Sequence, residues 1–112
     1  MNDIDIPILN KTYELYKTFH YYRKLVPKQD RFTIYERSEN LIIEVVENLL
    51  EASYSQNNKF GCLEKASLKL NVLRLMIRLM RESDILTLKN YTLLQKIIDD
   101  IGRQLGGWIR SR

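Results

Sequence analysis

Arg74, Arg78 and Arg81 are spaced by 4 and 3 residues, which puts all three side chains on one face of a helix. Lys17, Lys24 and Lys28 do the same earlier in the chain, with Arg23 and Arg31 beside them, and Arg103, Arg110 and Arg112 lie near its end. The planar fork of arginine donates two hydrogen bonds to one phosphate. Each phosphate neutralised in this way releases counterions, so binding weakens as salt rises. Tyrosines beside such bases offer rings on which unpaired nucleobases stack. The chemistry on offer is recognition of a polyanion, with Arg23, Lys24, Arg74, Arg78 and Arg81 as the expected phosphate contacts. The plainer alternative stays open: basic helix faces are common and many are merely solvated.

Catalytic constellations are scarce. His20 is the sole histidine and Cys62 the sole cysteine, too few for a zinc cluster. The Glu-x-x-His pairs of carboxylate-bridged metal bundles do not occur. Cys62, next to Gly61 at a helix start, reads as a small near-surface residue. His20, among Tyr13, Tyr16, Phe19, Tyr21 and Tyr22, reads as a packed or half-exposed ring. No arginine precedes His20, which removes the Arg-x4-6-His pattern of helical ribonucleases. Glu44, Glu47 and Glu51 share one side of a helix, and a charged run of that kind is more often a solvated face than an acid–base pair. Neither a Walker loop nor G-x-G-x-x-G is present. We expect no enzyme, metal, cofactor or small-molecule substrate.

The elements that must position the bases are helices. Gly at 4 and Pro at 2 in 112 residues leave little for the tight turns of a many-stranded sheet. Breaks fall at Pro27, in the polar stretch Ser53 to Lys59 closed by Gly61, and at Ser83–Asp84, after which Thr87 or Asn90 caps the next helix. Pro7 suits the first turn of the first helix. The spacing predicts helices over about 7–26, 31–54, 61–83 and 87–110 in a single domain, 1–112. Leu63, Ala66, Leu70, Leu73, Ile77 and Met80 form a seam stepping by 3 and 4, and Tyr91, Leu94, Ile98, Ile101, Leu105 and Trp108 form another. In the second helix Ile34, Ser38, Leu41, Val45 and Ala52 make the stripe, flanked by Ile42, Val46 and Leu49. The fold class is all-α, an antiparallel up-down four-helix bundle.

Two helices carry more apolar surface than one core uses. Leu68, Val72, Leu75 and Leu79 form a second stripe on the third helix, roughly opposite its seam. The first helix has Leu15, Phe19, Tyr22 and Val26 on one side and Leu9, Tyr13 and Tyr16 on another. Either the third helix is simply the most buried, or the surplus packs against another subunit, and an excess of apolar faces favours the subunit.

Net charge is +4, distributed unevenly. Residues 11–31 sum to +4, 34–55 to −4, 59–81 to +5, 82–100 to −2 and 103–112 to +3. The folded protein should therefore carry separate basic and acidic strips. A lone cysteine needs no oxidising compartment. No apolar run approaches a membrane span, and the first ten residues hold Asp3 and Asp5 and no base, unlike a signal peptide. A soluble, cytoplasmic protein is the expectation.

The stretch Ile101-Gly-Arg-Gln-Leu-Gly-Gly-Trp-Ile-Arg-Ser111 resembles the closing motif of a bacterial four-helix-bundle family. That family comprises the accessory variability determinant of diversity-generating retroelements and proteins encoded in intervening sequences of large-subunit ribosomal RNA genes. Leu25-Val-Pro-Lys-Gln-Asp-Arg-Phe32, Glu47-Asn-Leu-Leu-Glu-Ala52, Leu73-Arg-Leu-Met-Ile-Arg-Leu79 and Tyr91 also look like the family pattern, so the likeness runs from about residue 10 to 111. It implies a homopentameric barrel of four-helix bundles with a basic surface. It also implies an accessory protein that partners a reverse transcriptase and contacts RNA or DNA during mutagenic copying of template RNA. The alternative is a structural helical adaptor of the intervening-sequence type, with a protein or RNA partner and no retroelement role. Leu68, Val72, Leu75 and Leu79 are the expected subunit contacts. Gly102 and Gly106, four residues apart, would let the last helix approach a neighbour closely, with Trp108 anchoring the helix end at that interface.

Overall fold

The structure is a computed structural model that describes residues 5–55 and 57–111. Pro27 has no N–H to continue a helix and restricts the residue before it, and the first helical run ends just ahead of it. Helix α1 (Asp5–Tyr22) tightens into a 3-10 turn over Arg23–Leu25, and Val26 is extended. A four-residue helix, α2 (Lys28–Arg31), follows, and α3 (Ile34–Tyr54) starts after Thr33. Two further long helices complete the chain, α4 (Lys59–Glu82) and α5 (Leu88–Ser111). No strand occurs among the described residues.

The turns between α3, α4 and α5 are short, so consecutive helices fold back on one another. Each long helix packs on the next, and α5 closes the ring against α1. The result is an up-down bundle about 43 Å long and 22 by 19 Å across. The last turn of α1, the α4–α5 turn and the starts of α3 and α5 therefore share one end. The end of α3 and the start of α4 lie at the other.

The expected seams form the core. Leu63, Ala66, Leu70, Leu73, Ile77 and Met80 of α4 are all buried, as are Leu94, Ile98, Ile101, Leu105 and Trp108 of α5, with Tyr91 packed at the edge. From α3 come Leu41, Ile42, Val45, Leu49 and Ala52, and from α1 Ile8, Leu15 and Phe19. Tyr35 adds a feature that spacing does not announce. Its ring stacks on Phe19 with centroids 4.0 Å apart, and its hydroxyl donates to the Phe19 carbonyl.

Helix ends follow local hydrogen bonding. The Thr87 side chain accepts from the N–H of Asn90 at 3.2 Å, so Thr87 caps α5. Asp84 takes a left-handed conformation, φ 61°, and the N–H groups of Ile85 and Leu86 return to the Met80 carbonyl, closing the end of α4. Helix α4 begins two residues before its expected start, so Gly61 lies inside its first turn with the Asn58 side chain against it. Cys62 is likewise not near the surface: it is fully buried in the core. Burial pushes its thiol pKa up, and the Glu51 carboxylate pushes the same way.

Candidate nucleic-acid interface

The five expected phosphate contacts fall into two groups. Arg23 and Lys24 sit in the 3-10 turn that ends α1, and Arg78 and Arg81 lie in the last turns of α4. Up-down topology brings these four to the same end of the bundle, on diagonally opposed helices. Arg74 lies further along α4, away from that end.

None of the α4 arginines is a bare cation. Arg74 donates to Asn71 at 2.8 Å and to Asp99 of α5 at 3.3 Å. Arg78 pairs with Glu82 at 3.5 Å within its own helix. Arg81 pairs with Asp84 at 3.7 Å and donates to the Leu86 carbonyl at 3.4 Å. The Arg78–Glu82 pair is exposed on both sides, and such pairs contribute at most about 1 kcal/mol. Arg78 can therefore exchange its carboxylate for a phosphate at little cost. Arg74 is the most constrained, because it also fills the space beside Gly102: a Cβ on that glycine would lie 2.7 Å from its Nη2.

At the α1 end, bases and aromatic rings are interleaved. Lys24 Nζ lies 4.1 Å from the centroid of Tyr21, and the Arg23 guanidinium 4.8 Å from that of Phe32. Both rings are mostly exposed, 60% for Tyr21 and 70% for Phe32. Arg31 donates to the carbonyls of Val26 and Lys24, each at 2.9 Å, and so pins the connector. Behind them His20 shares a hydrogen bond with the nearly buried Glu39 through Nδ1 at 2.8 Å and stacks on Tyr16. Glu39 also meets Arg23 at 3.5 Å. These residues enclose an open recess of about 400 Å³ lined by His20, Tyr21, Arg23, Lys24, Arg31 and Phe32. The sequence marked Arg23 and Lys24 but not Glu39 or Phe32. An aromatic directly after the basic stretch Lys28-Gln-Asp-Arg31 was the available signal for Phe32. Glu39 carried none, since its buried position depends on where α1 ends.

The expected subunit contacts divide as well. Leu68 and Leu75 are each 65% exposed and Leu79 48%, with Val72 half-buried, so the second stripe is not consumed by the chain's own core. The idea that α4 is simply the most buried helix is thereby corrected. A second apolar groove, lined by Leu9, Tyr13, Tyr16, Ile43, Val46 and Leu50, runs between α1 and α3. Trp108, in contrast, is 4% exposed and packs within its own bundle, with Lys59 Nζ 5.7 Å from the ring centroid. It anchors the end of α5 to the start of α4 and is removed from the list of subunit contacts. The room at Gly102 is likewise used inside the chain, by Arg74. A Cβ at Gly106 would meet Arg110 at 3.4 Å. Arg112 lies outside the described residues.

Among the described residues no group of three or more His, Cys, Asp or Glu side chains is placed to hold a metal ion. Among the same residues, no helix is long and apolar enough to cross a membrane.

The chain is an all-helical bundle with bases gathered at one end and apolar faces that its own core leaves exposed. The sequence model of the bAvd-like family matches residues 7–112, and the chain belongs to that family. No curated protein matches. Among solved structures the chain is similar to a protein of unknown function from the S23 ribosomal protein family of Bacteroides thetaiotaomicron. That likeness has a TM-score of 0.84 at 19% identity and covers 96% of this chain and 98% of the other. At that identity it establishes the shared fold.

Proposed function

We propose that this chain is a non-catalytic accessory subunit that binds nucleic acid and partners a reverse transcriptase in a diversity-generating retroelement, working as a homopentamer. Membership of the bAvd-like family over residues 7–112 carries the reading. The surface supports it. Arg23, Lys24, Arg78 and Arg81 share one end of the bundle, where they can follow a phosphate backbone, and Arg74 extends the strip along α4. The exposed Leu68, Leu75 and Leu79 offer a face for a neighbouring copy, with the half-buried Val72 between them. Five copies carry five times the single-chain charge of +4, a field that steers polyanions to the surface.

The test is a fluorescence-anisotropy titration against a structured RNA and a duplex DNA at several salt concentrations. The expected result is a log affinity that falls linearly with log salt, with a slope of about −0.9 per phosphate contacted on duplex DNA. Absence of binding at low salt would retire the nucleic-acid reading and direct the search to a protein partner for the α4 stripe.

A further inference from the structure

The recess at the end of α1 has features that tracking a duplex backbone does not require. Tyr21 and Phe32 expose most of their surface to water, at a hydrophobic cost; Tyr13 and Tyr54 are as exposed, but only Tyr21 and Phe32 line this recess among the bases Arg23, Lys24 and Arg31. Each ring is backed by a cation of the chain, Lys24 or Arg23, and still keeps 60–70% of its surface open. The rim is held in place rather than left to wander. Arg31 commits two of its five N–H donors to the carbonyls of Lys24 and Val26, leaving the rest for a ligand. Glu39 fixes His20 through Nδ1 and so orients the imidazole in the recess wall, with Nε2 its remaining polar atom. The recess is shallow and open to solvent, and its volume of about 400 Å³ has room for one nucleotide.

Resting on the nucleic-acid reading above, we infer that this recess takes one unpaired nucleotide of a single strand. Its base stacks against Phe32 and Tyr21, and its phosphate lies on Arg31 and Lys24. Bases in a duplex have their faces covered by neighbours and cannot use the rings, so the recess makes the protein prefer single-stranded nucleic acid. The bases of α4 touch only phosphates and make no such distinction.

The experiment compares a labelled single strand of about 12 nucleotides, within the site sizes of single-strand binders, with its duplex. Both are titrated at one salt concentration against the wild type and a Tyr21→Ala/Phe32→Ala variant. Both side chains are exposed, so the variant keeps the fold, which circular dichroism checks. Loss of base stacking should weaken single-strand binding by at least about tenfold and leave duplex binding unchanged, and Tyr21→Phe should retain tight single-strand binding. Equal effects on both ligands, or none on the single strand, would overturn the recess while leaving nucleic-acid binding intact. Failure of the wild type to bind either ligand would overturn both readings at once.

Discussion

Tyr35 heads the fully buried side chains by volume, and its hydroxyl is matched to one acceptor, the Phe19 carbonyl. Burial, with Glu39 nearby, holds its phenol well above the ordinary value of 10.0, and Cys62 is held above 9.0 by its own burial and Glu51. Both groups stay protonated in the native state at pH values where the unfolded chain has released their protons. Their contribution is therefore complete below about pH 9 and is lost as pH rises. Chemical denaturation from pH 8 to 11 should show stability falling in the alkaline range. Tyr35→Phe should flatten the part above pH 10, by up to about 1.4 kcal/mol per pH unit. An unchanged slope in the variant would mean that the phenol ionises freely. Residues such as Tyr35, Glu39 and Cys62 were the hardest to place from sequence. Their burial is set by which neighbouring helix covers them, and periodicity on a single helix does not contain that.

Helices were the most legible level, because seams stepping by 3 and 4 leave one arrangement that buries them. Pro27 announced its break, and of the two caps the sequence offered for α5, Thr87 and Asn90, the structure uses Thr87. The short α2 and the earlier start of α4 were not visible, since each rests on a few turn hydrogen bonds rather than on an apolar stripe. The contact between α4 and α5 supplies a test at this scale. Gly102 costs α5 about 1 kcal/mol of helix propensity relative to alanine, and the atom a Cβ would meet is the far end of the flexible Arg74 side chain. Displacing Arg74 breaks its part-exposed contact with Asp99, worth a few tenths of a kcal/mol. Gly102→Ala should therefore leave the melting temperature unchanged or raise it by a few degrees. A drop of several degrees would show that the backbones there are closer than Arg74 implies.

For the molecule as a whole, the acidic α3 is tied to the basic segment that follows α1 through Arg23–Glu39 at 3.5 Å, and to the basic α4 through Lys69–Glu44 at 3.3 Å. The sign alternation seen along the sequence thus becomes an arrangement of neighbours. The sequence pointed to surplus apolar faces, and the exposed α4 stripe and the α1–α3 groove are those faces. Which copy or partner covers them was beyond a single-chain pattern. Light scattering should give a mass five times the 13.4 kDa of one chain, and Leu75→Glu/Leu79→Glu should reduce it without loss of helicity, both residues being exposed. A wild-type monomer would remove the pentamer. The placement of Arg23, Lys24, Arg78 and Arg81 at one end of a body 43 Å long also gives the particle a direction. Bundles standing side by side around a rotation axis all point the same way, because rotation cannot invert them. A ring of the kind proposed would be two-faced like a crown: one rim would carry the proposed nucleotide recesses, and the opposite rim, where α3 ends and α4 begins, would present a different surface.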